Sequence, residues 1–182
     1  MSTPALHLDL LPVAWLVGTW TGDGFLVERA AEGEQADAGA VVEVPVTLEL
    51  TFRHTGSAVL GYALRVTRHG VEEDGEVGWW RVRPHEQDLA RVHLEVLLAH
   101  PTGVVEVYVG EAADATIHLA TDLVAHTETG APVAAASRQY GIRANTLVFV
   151  VDEATGEAGL RSRLSGQLER VPGTGWDGIS QG

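Results

Sequence analysis

Cysteine and lysine are both absent from this chain of 182 residues. Without cysteine, the chain can form neither a disulfide nor a thiolate metal site. Because lysine is missing, all 12 basic residues are arginines, and they are set against 25 acidic residues, which gives a formal net charge of −13 at pH 7. This balance repels phosphate backbones and anionic lipid surfaces, so we expect neither a nucleic-acid nor a membrane partner.

Long apolar runs are also missing. No stretch approaches the roughly 18 apolar residues that a membrane-spanning helix needs. The first residues have no positively charged segment, carry Asp9 within their apolar part and are interrupted by Pro12, which is not the pattern of an export signal. We therefore expect a cytoplasmic protein. The arginine-rich, lysine-free composition resembles that of a GC-rich bacterial genome.

The chain does contain many short segments rich in valine, leucine, threonine and aromatic residues, separated by turn-forming residues. This pattern predicts an all-β fold, a single antiparallel up-and-down β-barrel of about ten strands. The expected strands are residues 19–28, 41–54, 58–68, 76–83, 89–99, 104–111, 116–125, 133–144, 146–152 and 160–170.

The segments between these strands are too short for crossover helices. Residues 69–74, 84–88, 100–103 and 153–156 are rich in turn formers, as antiparallel hairpins require. Only residues 6–16 are expected to form a short helix or 3₁₀ turn, which would cover one end of the barrel.

One domain is expected. Residues 1–171 would form the barrel and residues 172–182 a flexible C-terminal tail, in which Trp176 is either exposed or docked on the barrel. The small, acidic stretch 30–40 predicts a mobile loop.

The first predicted strand carries a glycine-rich motif. With the two-residue period of a strand, Gly18, Trp20, Gly22 and Gly24 share one face. Strand glycines mark bends or close approach of neighbouring backbones, so this motif predicts structural closure of one barrel end around Trp20.

This G-x-W-x-G-x-G motif resembles the first strand of the nitrobindin family, relatives of the fatty-acid-binding and lipocalin barrels. Three further segments occur in the family's order and resemble its other strands: residues 78–82, 97–110 and 164–170. Arg170, near the end of the last segment, would stack over Trp20 as a cation–π contact and help to close the barrel, or else be a solvated charge.

The resemblance implies a ten-stranded barrel that holds haem b through one histidine of the last strand, binds nitric oxide and isomerises peroxynitrite to nitrate. In this sequence, Arg163 stands at the position of that ligand, and no histidine follows His126. Arginine stays protonated and offers no lone pair to iron. We therefore expect no haem cofactor and no isomerase activity, and we name no catalytic residue.

The orientation of Arg163 stays open at this stage. Strand alternation groups Arg163 with Arg161 and Ser165 on a polar face, whereas Leu164 belongs to the apolar face. By alternation alone, Arg163 faces solvent; by the resemblance, it lines an open pocket.

His100 is the best candidate for a substitute haem ligand, since it lies in a family-like turn near the pocket rim. The plainer interpretation is a turn histidine that hydrogen-bonds nearby backbone groups. No histidine pairs with another histidine or with a carboxylate at the spacing of a metal site, so no metal is expected. The acidic run 72–74 is interpreted as a solvated turn.

Three functions remain open. The first is a nitrobindin-like barrel without iron, which could bind a small apolar or anionic ligand next to Arg163. The second is a haem protein that uses another histidine such as His100. The third is a structural or interaction module whose barrel is filled by side chains, for which the expected bulk is Trp15, Trp20, Trp79, Trp80, Phe52 and Phe149. A cavity too small for a ligand would favour the third. The sequence does not determine the oligomeric state, and a homodimer is one possibility.

Overall fold

The computed structural model describes residues 5–29, 41–86, 88, 90–156 and 159–176. A 3₁₀ helix, Leu8–Leu16, precedes ten strands. The strands are β1 (Gly18–Arg29), β2 (Val41–His54), β3 (Val59–Arg68), β4 (Val71–Pro84), β5 (Val92–Ala99), β6 (Val104–Ala113), β7 (Thr116–His126), β8 (Val133–Arg143), β9 (Thr146–Thr155) and β10 (Arg161–Arg170).

The strands form one closed antiparallel barrel. Each strand pairs with the next along the chain, and β10 returns to pair with β1, for example at Trp20 and Arg170. Closure gives every strand two paired neighbours, which is the usual solution for an up-and-down meander. The shortest pairing is between β7 and β8, from Thr116 opposite Gly141 to Ala120 opposite Ser137. The predicted fold class is confirmed. Among the described residues, no helix is long and apolar enough to cross a membrane.

The largest error in the predicted strands is at the start of β4. The expected turn at residues 69–74 is shorter in the structure, because His69 and Gly70, with φ of 51° and 79°, complete it alone. A two-residue turn with both φ positive matches the twist of a hairpin. The acidic run 72–74 therefore belongs to β4, which begins at Val71, and is not a loop.

The 3₁₀ helix closes one end of the barrel. Leu10, Val13 and Leu16 of this helix are buried, and the indole Nε1 of Trp20 donates a hydrogen bond of 2.8 Å to the carbonyl oxygen of Leu16. The chain after β10 also packs at this end, because the backbone N–H of Thr19 donates to the Thr174 hydroxyl and Trp176 contacts the core. This docking differs from the flexible tail expected from residue 172. Residues 177–182 and the expected loop 30–40 lie outside the described residues.

The barrel interior is packed with aromatic rings. Trp80 stacks on Tyr62 and makes edge contacts with Phe52 and Tyr140, with ring centres 5.1 to 5.7 Å apart. Phe149 stacks on Tyr140. Of the expected filling side chains, Trp79 is placed wrongly by the sequence analysis, because its side chain points outwards and is 61% exposed.

Candidate functional site

Arg163 lies at a β-bulge. Ser162 pairs with Asp152 and Leu164 pairs with Val151, so Arg163 is an extra residue without a partner on β9. A bulge rotates the side chain that it carries relative to strict alternation. Arg163 and Leu164 consequently line the same internal cavity, at the barrel end opposite the 3₁₀ helix. Strand alternation alone predicts that the side chain of Arg163 faces solvent.

The guanidinium of Arg163 is held by two carboxylates. Its NH2 donates to Asp74 of β4 at 3.2 Å, and its Nε lies 3.7 Å from a carboxylate oxygen of Glu153 on β9. Burial raises the pKa of Glu153, and the charge of Arg163 offsets this only in part. The cavity that these side chains share measures about 30 Å³, more than the roughly 10–15 Å³ that a cavity needs to hold one water molecule.

A second, deeper ion-pair cluster lies next to this cavity. Arg138 of β8 donates two hydrogen bonds to Glu76 of β4, from NH1 to Oε1 at 2.5 Å and from NH2 to Oε2 at 2.6 Å. The same NH2 lies 3.4 Å from a carboxylate oxygen of Glu106 on β6. Arg138 and Glu106 are at most 2% exposed. Such a bidentate pair is the strongest geometry available to a guanidinium and a carboxylate.

His100 completes the charge balance of this cluster. Its Nε2 lies 2.8 Å from Glu106 and its Nδ1 lies 3.5 Å from Glu76. Two tyrosine hydroxyls donate to the same carboxylates, Tyr62 to Glu76 and Tyr108 to Glu106. With His100 protonated, two buried negative charges face two positive charges, which is the condition under which buried charges are tolerated.

The pKa shifts in the cluster follow from this arrangement. Burial raises the pKa of Glu76, but the charge and hydrogen bonds of Arg138 outweigh burial and leave that pKa below its ordinary value. The pKa of Glu106 is likewise lowered overall, because the His100 hydrogen bond and the Arg138 charge exceed the effect of burial. Burial lowers the pKa of His100, but the hydrogen bond to Glu106 and the charge of Glu76 raise it above its ordinary value.

The cluster also has the spacing of a metal site, because one ligand atom from each of Glu76, His100 and Glu106 lies within 4.8 Å of the others. The positions of these residues in the sequence did not indicate such a site. Arg138 argues against a metal, because its fixed positive charge already occupies both oxygens of Glu76. A cation would have to displace that guanidinium. The geometry therefore fits a buried salt-bridge network better than a metal centre.

The remaining residues singled out from the sequence lie at the helix-covered end. The Arg170 guanidinium lies 4.3 Å from the ring centre of Trp20 and donates to the carbonyl oxygen of Trp15, where the sequence analysis expected a closing contact. Gly22 faces the backbone of β10 so closely that an added Cβ would meet the carbonyl oxygen of Gln167. Arg163 and His100 lie at the other end, so these two sets of residues form separate parts of the barrel.

The sequence analysis missed Glu76, Glu106 and Arg138. The sequence does contain a signal for these residues, because each is a charged residue at a strand position where alternation predicts an apolar side chain that points inwards. Glu76 shares a face with Gly78 and Trp80 of β4, and these three residues are buried. A charged residue on the apolar face of a strand indicates a buried partner elsewhere in the fold.

A larger hollow, about 470 Å³ in volume, lies on the outer wall near His100. Three of its lining residues, Ala63, Gly75 and Ala99, have small or no side chains, and Arg65 and Pro101 stand beside them. The hollow is open to solvent, and its lining also includes the inward-facing Leu64 and Glu76 and the part-buried His100, all of which line the cavity at Arg163 as well.

A family model described as a THAP4-like, heme-binding beta-barrel domain matches residues 9–170. The relatives include a ferric nitrobindin-like protein of Kineococcus radiotolerans, 38% identical over 90% of this chain and 94% of its own. A second ferric nitrobindin-like protein, from Thermobifida fusca, is 35% identical over 91% and 96% of the two chains. A peroxynitrite isomerase of Frankia casuarinae is 34% identical over 93% and 89%.

The fold is also similar to the crystal structure of Rv2717c from M. tuberculosis, with a TM-score of 0.72 over 92% of this chain and 99% of that chain. At 24% identity, this similarity shows the fold alone. The family model and the relatives, which cover most of the chain, show that this chain belongs to the nitrobindin family.

Proposed function

We propose that this chain is a nitrobindin-family barrel without haem ligation, which does not isomerise peroxynitrite. The observation that carries the proposal is Arg163, tied to Asp74 and Glu153 at the position where the family resemblance places the iron ligand. Inside the barrel, the rings of Phe52, Trp80 and Phe149 pack against other aromatic rings, as the third of the functions that the sequence left open requires.

Haem does not fit the residues around Arg163. A guanidinium remains protonated and has no lone pair for iron. The cavity of about 30 Å³ that Arg163 lines is far below the roughly 300–1,000 Å³ of typical ligand pockets. The adjoining hollow of about 470 Å³ is of ligand size, but Arg163 does not line it. Bringing a porphyrin into this place would require breaking the two ion pairs of Arg163.

An anionic ligand at Arg163 is disfavoured for a related reason. Asp74 and Glu153 already neutralise the guanidinium, and Glu76 lines the same cavity. Arg163 NH1 and Arg138 Nε lack protein partners among the described residues. The cavity that both arginines line has room for water, which would hydrogen-bond to such N–H groups.

The second candidate function is haem-dependent isomerisation with His100 as the iron ligand, and it is favoured by the relatives that carry the name peroxynitrite isomerase. The geometry of His100 supports it poorly. Both ring nitrogens face carboxylates, at 2.8 and 3.5 Å, so neither is available to a metal without disrupting the cluster.

A haemin titration of the native protein beside Arg163→His tests the proposal. We expect no histidine-ligated Soret band in the native protein. We expect such a band in Arg163→His, because the substitution supplies an imidazole and removes the ion pairs to Asp74 and Glu153. The cavity then adjoins a hollow of about 470 Å³, which shares part of its lining. His100→Ala, titrated in parallel, serves as the control for ligation by the other candidate.

A ligated Soret band in the native protein would contradict the proposal, and its disappearance in His100→Ala would establish the second candidate. Native mass spectrometry of the freshly purified protein gives an independent check. A stoichiometric small molecule that co-purifies with the chain would show that the barrel is not filled by its own side chains.

A further inference from the structure

The hollow on the outer wall has the volume of a small-molecule site. It measures about 470 Å³, within the roughly 300–1,000 Å³ of typical ligand pockets. Its depth depends on Gly75, because an added Cβ at this position would lie 2.8 Å from the carbonyl oxygen of Leu64. A residue with a side chain therefore cannot fill the hollow from this position without moving the backbone of β3.

Apolar side chains form one wall of the hollow. Ala63 of β3, Val77 of β4 and Ala99 of β5 are neighbours in the strand register, and Pro101 follows in the turn after β5. Val77 is 57% exposed, which is unfavourable for an apolar side chain in water. This wall favours a ligand with an apolar body.

The rim of the hollow carries two carboxylates and one guanidinium. Arg65 donates from NH1 to Oε1 of Glu49 at 2.7 Å and from Nε to Oε2 of Glu72 at 2.8 Å. One positive charge thus serves two negative charges, and the rim keeps an excess of one negative charge. The other oxygen of each carboxylate accepts no hydrogen bond within the part of the chain that the structure describes.

The inner end of the hollow adds no free positive charge. Glu76 is bound by Arg138, and Nε2 of His100 lies 2.8 Å from Glu106. The two cations of the lining, Arg65 and His100, therefore both have carboxylate partners. An anion in the hollow would meet more negative than positive charge, and the net charge of −13 repels it further.

We propose that the hollow binds a small organic cation. Its ammonium group pairs with the free carboxylate oxygens of Glu49 and Glu72 at the rim, and its apolar body lies against Ala63, Val77 and Ala99. Both carboxylates bind the same guanidinium, so they lie close together, and the three N–H donors of an ammonium group can serve both of them. The ligand would balance the excess charge of the rim without displacing Arg65.

A set of ligands that share one ring tests the charge requirement. Isothermal titration calorimetry of the full chain compares phenethylamine, which is protonated at neutral pH as the lysine side chain is, with phenethyl alcohol and phenylacetate. We expect the amine to bind and both other compounds to bind at least about tenfold more weakly, the effect of losing a charge-assisted hydrogen bond. Methylammonium keeps the charge without the ring and should also bind more weakly, because it leaves the apolar wall uncovered.

Two pairs of variants test the position of the site. Glu72→Gln should weaken binding of phenethylamine by about threefold, the usual effect of one exposed ion pair. Glu169→Gln makes the same change in net charge at an exposed position of β10 and should have no effect. Ala99→Phe fills the hollow from an exposed position of β5 and should abolish binding, whereas Ala120→Phe, at an exposed position of β7, should not. Circular dichroism checks that all four variants keep the fold.

Four results would overturn the proposal. The first is the absence of a binding heat for phenethylamine with the native protein. The second is an equal affinity for the amine and the alcohol, which would show that the rim does not select a cation. The third is equal weakening by Glu72→Gln and Glu169→Gln, which would reveal only the general attraction of cations to an acidic chain. The fourth is an unchanged affinity in Ala99→Phe, which would show that the amine binds elsewhere.

Discussion

Arg138 shows how a single residue organises the barrel interior. It is buried, it binds both oxygens of Glu76, and it also approaches Glu106. All three groups are almost completely buried, so their contacts with one another offset most of the hydration that each loses on burial. The network connects strands β4, β6 and β8 across the barrel.

Replacing Arg138 by leucine should therefore be strongly destabilising. Arg138→Leu leaves two carboxylates buried without their cation, and we expect a loss of about 3–5 kcal/mol in the free energy of unfolding. The control is Arg65→Leu, which breaks exposed ion pairs with Glu49 and Glu72 and should cost about 0–1 kcal/mol. Urea unfolding of both variants measures the difference. Similar losses would mean that the buried network contributes no more than a surface pair.

At the scale of the secondary-structure elements, the close approach of β1 and β10 determines how the barrel closes. An added Cβ at Gly22 or Gly24 would collide with backbone oxygens of β10, at Gln167 and Ser165. Gly22 and Gly24 of the first-strand motif are thus explained by contact between two backbones, whereas Gly18 has a φ of 133° and faces Thr174. Backbone atoms cannot move aside as a flexible side chain can.

We expect Gly24→Ala to push β10 away from β1 and to cost about 1–3 kcal/mol, the usual range for overpacking. Gly141→Ala on β8 is the control, because the nearest atom to an added Cβ there is 3.8 Å away, an ordinary contact. Gly141→Ala should be neutral or slightly stabilising. Thermal denaturation of both variants provides the measurement. Equal melting temperatures would argue against the close-approach explanation.

For the whole molecule, protonation of His100 connects pH to stability. Its pKa in the folded state lies above the ordinary value of 6.5. A proton that binds more tightly in the folded state stabilises the fold below the unfolded pKa, and this stabilisation is lost as the pH rises through the folded pKa. Above that pH, the cluster of Glu76, Glu106 and Arg138 carries one uncompensated negative charge.

The free energy of unfolding should accordingly fall as the pH rises from about 6.5 through the higher folded pKa. His100→Gln removes the titrating group, so its stability should change less over the same range. His118→Gln, at an exposed position on β7, should behave like the native protein. Chemical denaturation at a series of pH values tests this. A native curve parallel to that of His100→Gln would show that His100 does not contribute to the pH dependence.

The sequence by itself determined the fold class, the positions of the ten strands and the family. Two-residue alternation, turn formers and the glycine motif are local properties, and they act over a few neighbouring residues. The prediction that Arg163 stands at the family's iron-ligand position also comes from the sequence, because it depends only on which residue occupies one position of the last strand, and it stays a prediction.

Only the tertiary structure decided what surrounds Arg163 and what fills the barrel. The bulge that turns Arg163 inwards depends on how β10 pairs with β9, and alternation within one strand cannot reveal it. The grouping of Glu76, Glu106, Arg138 and His100 joins residues up to 62 positions apart. Such contacts exist only after the barrel closes, because closure brings strands that are distant in sequence to face each other across the interior.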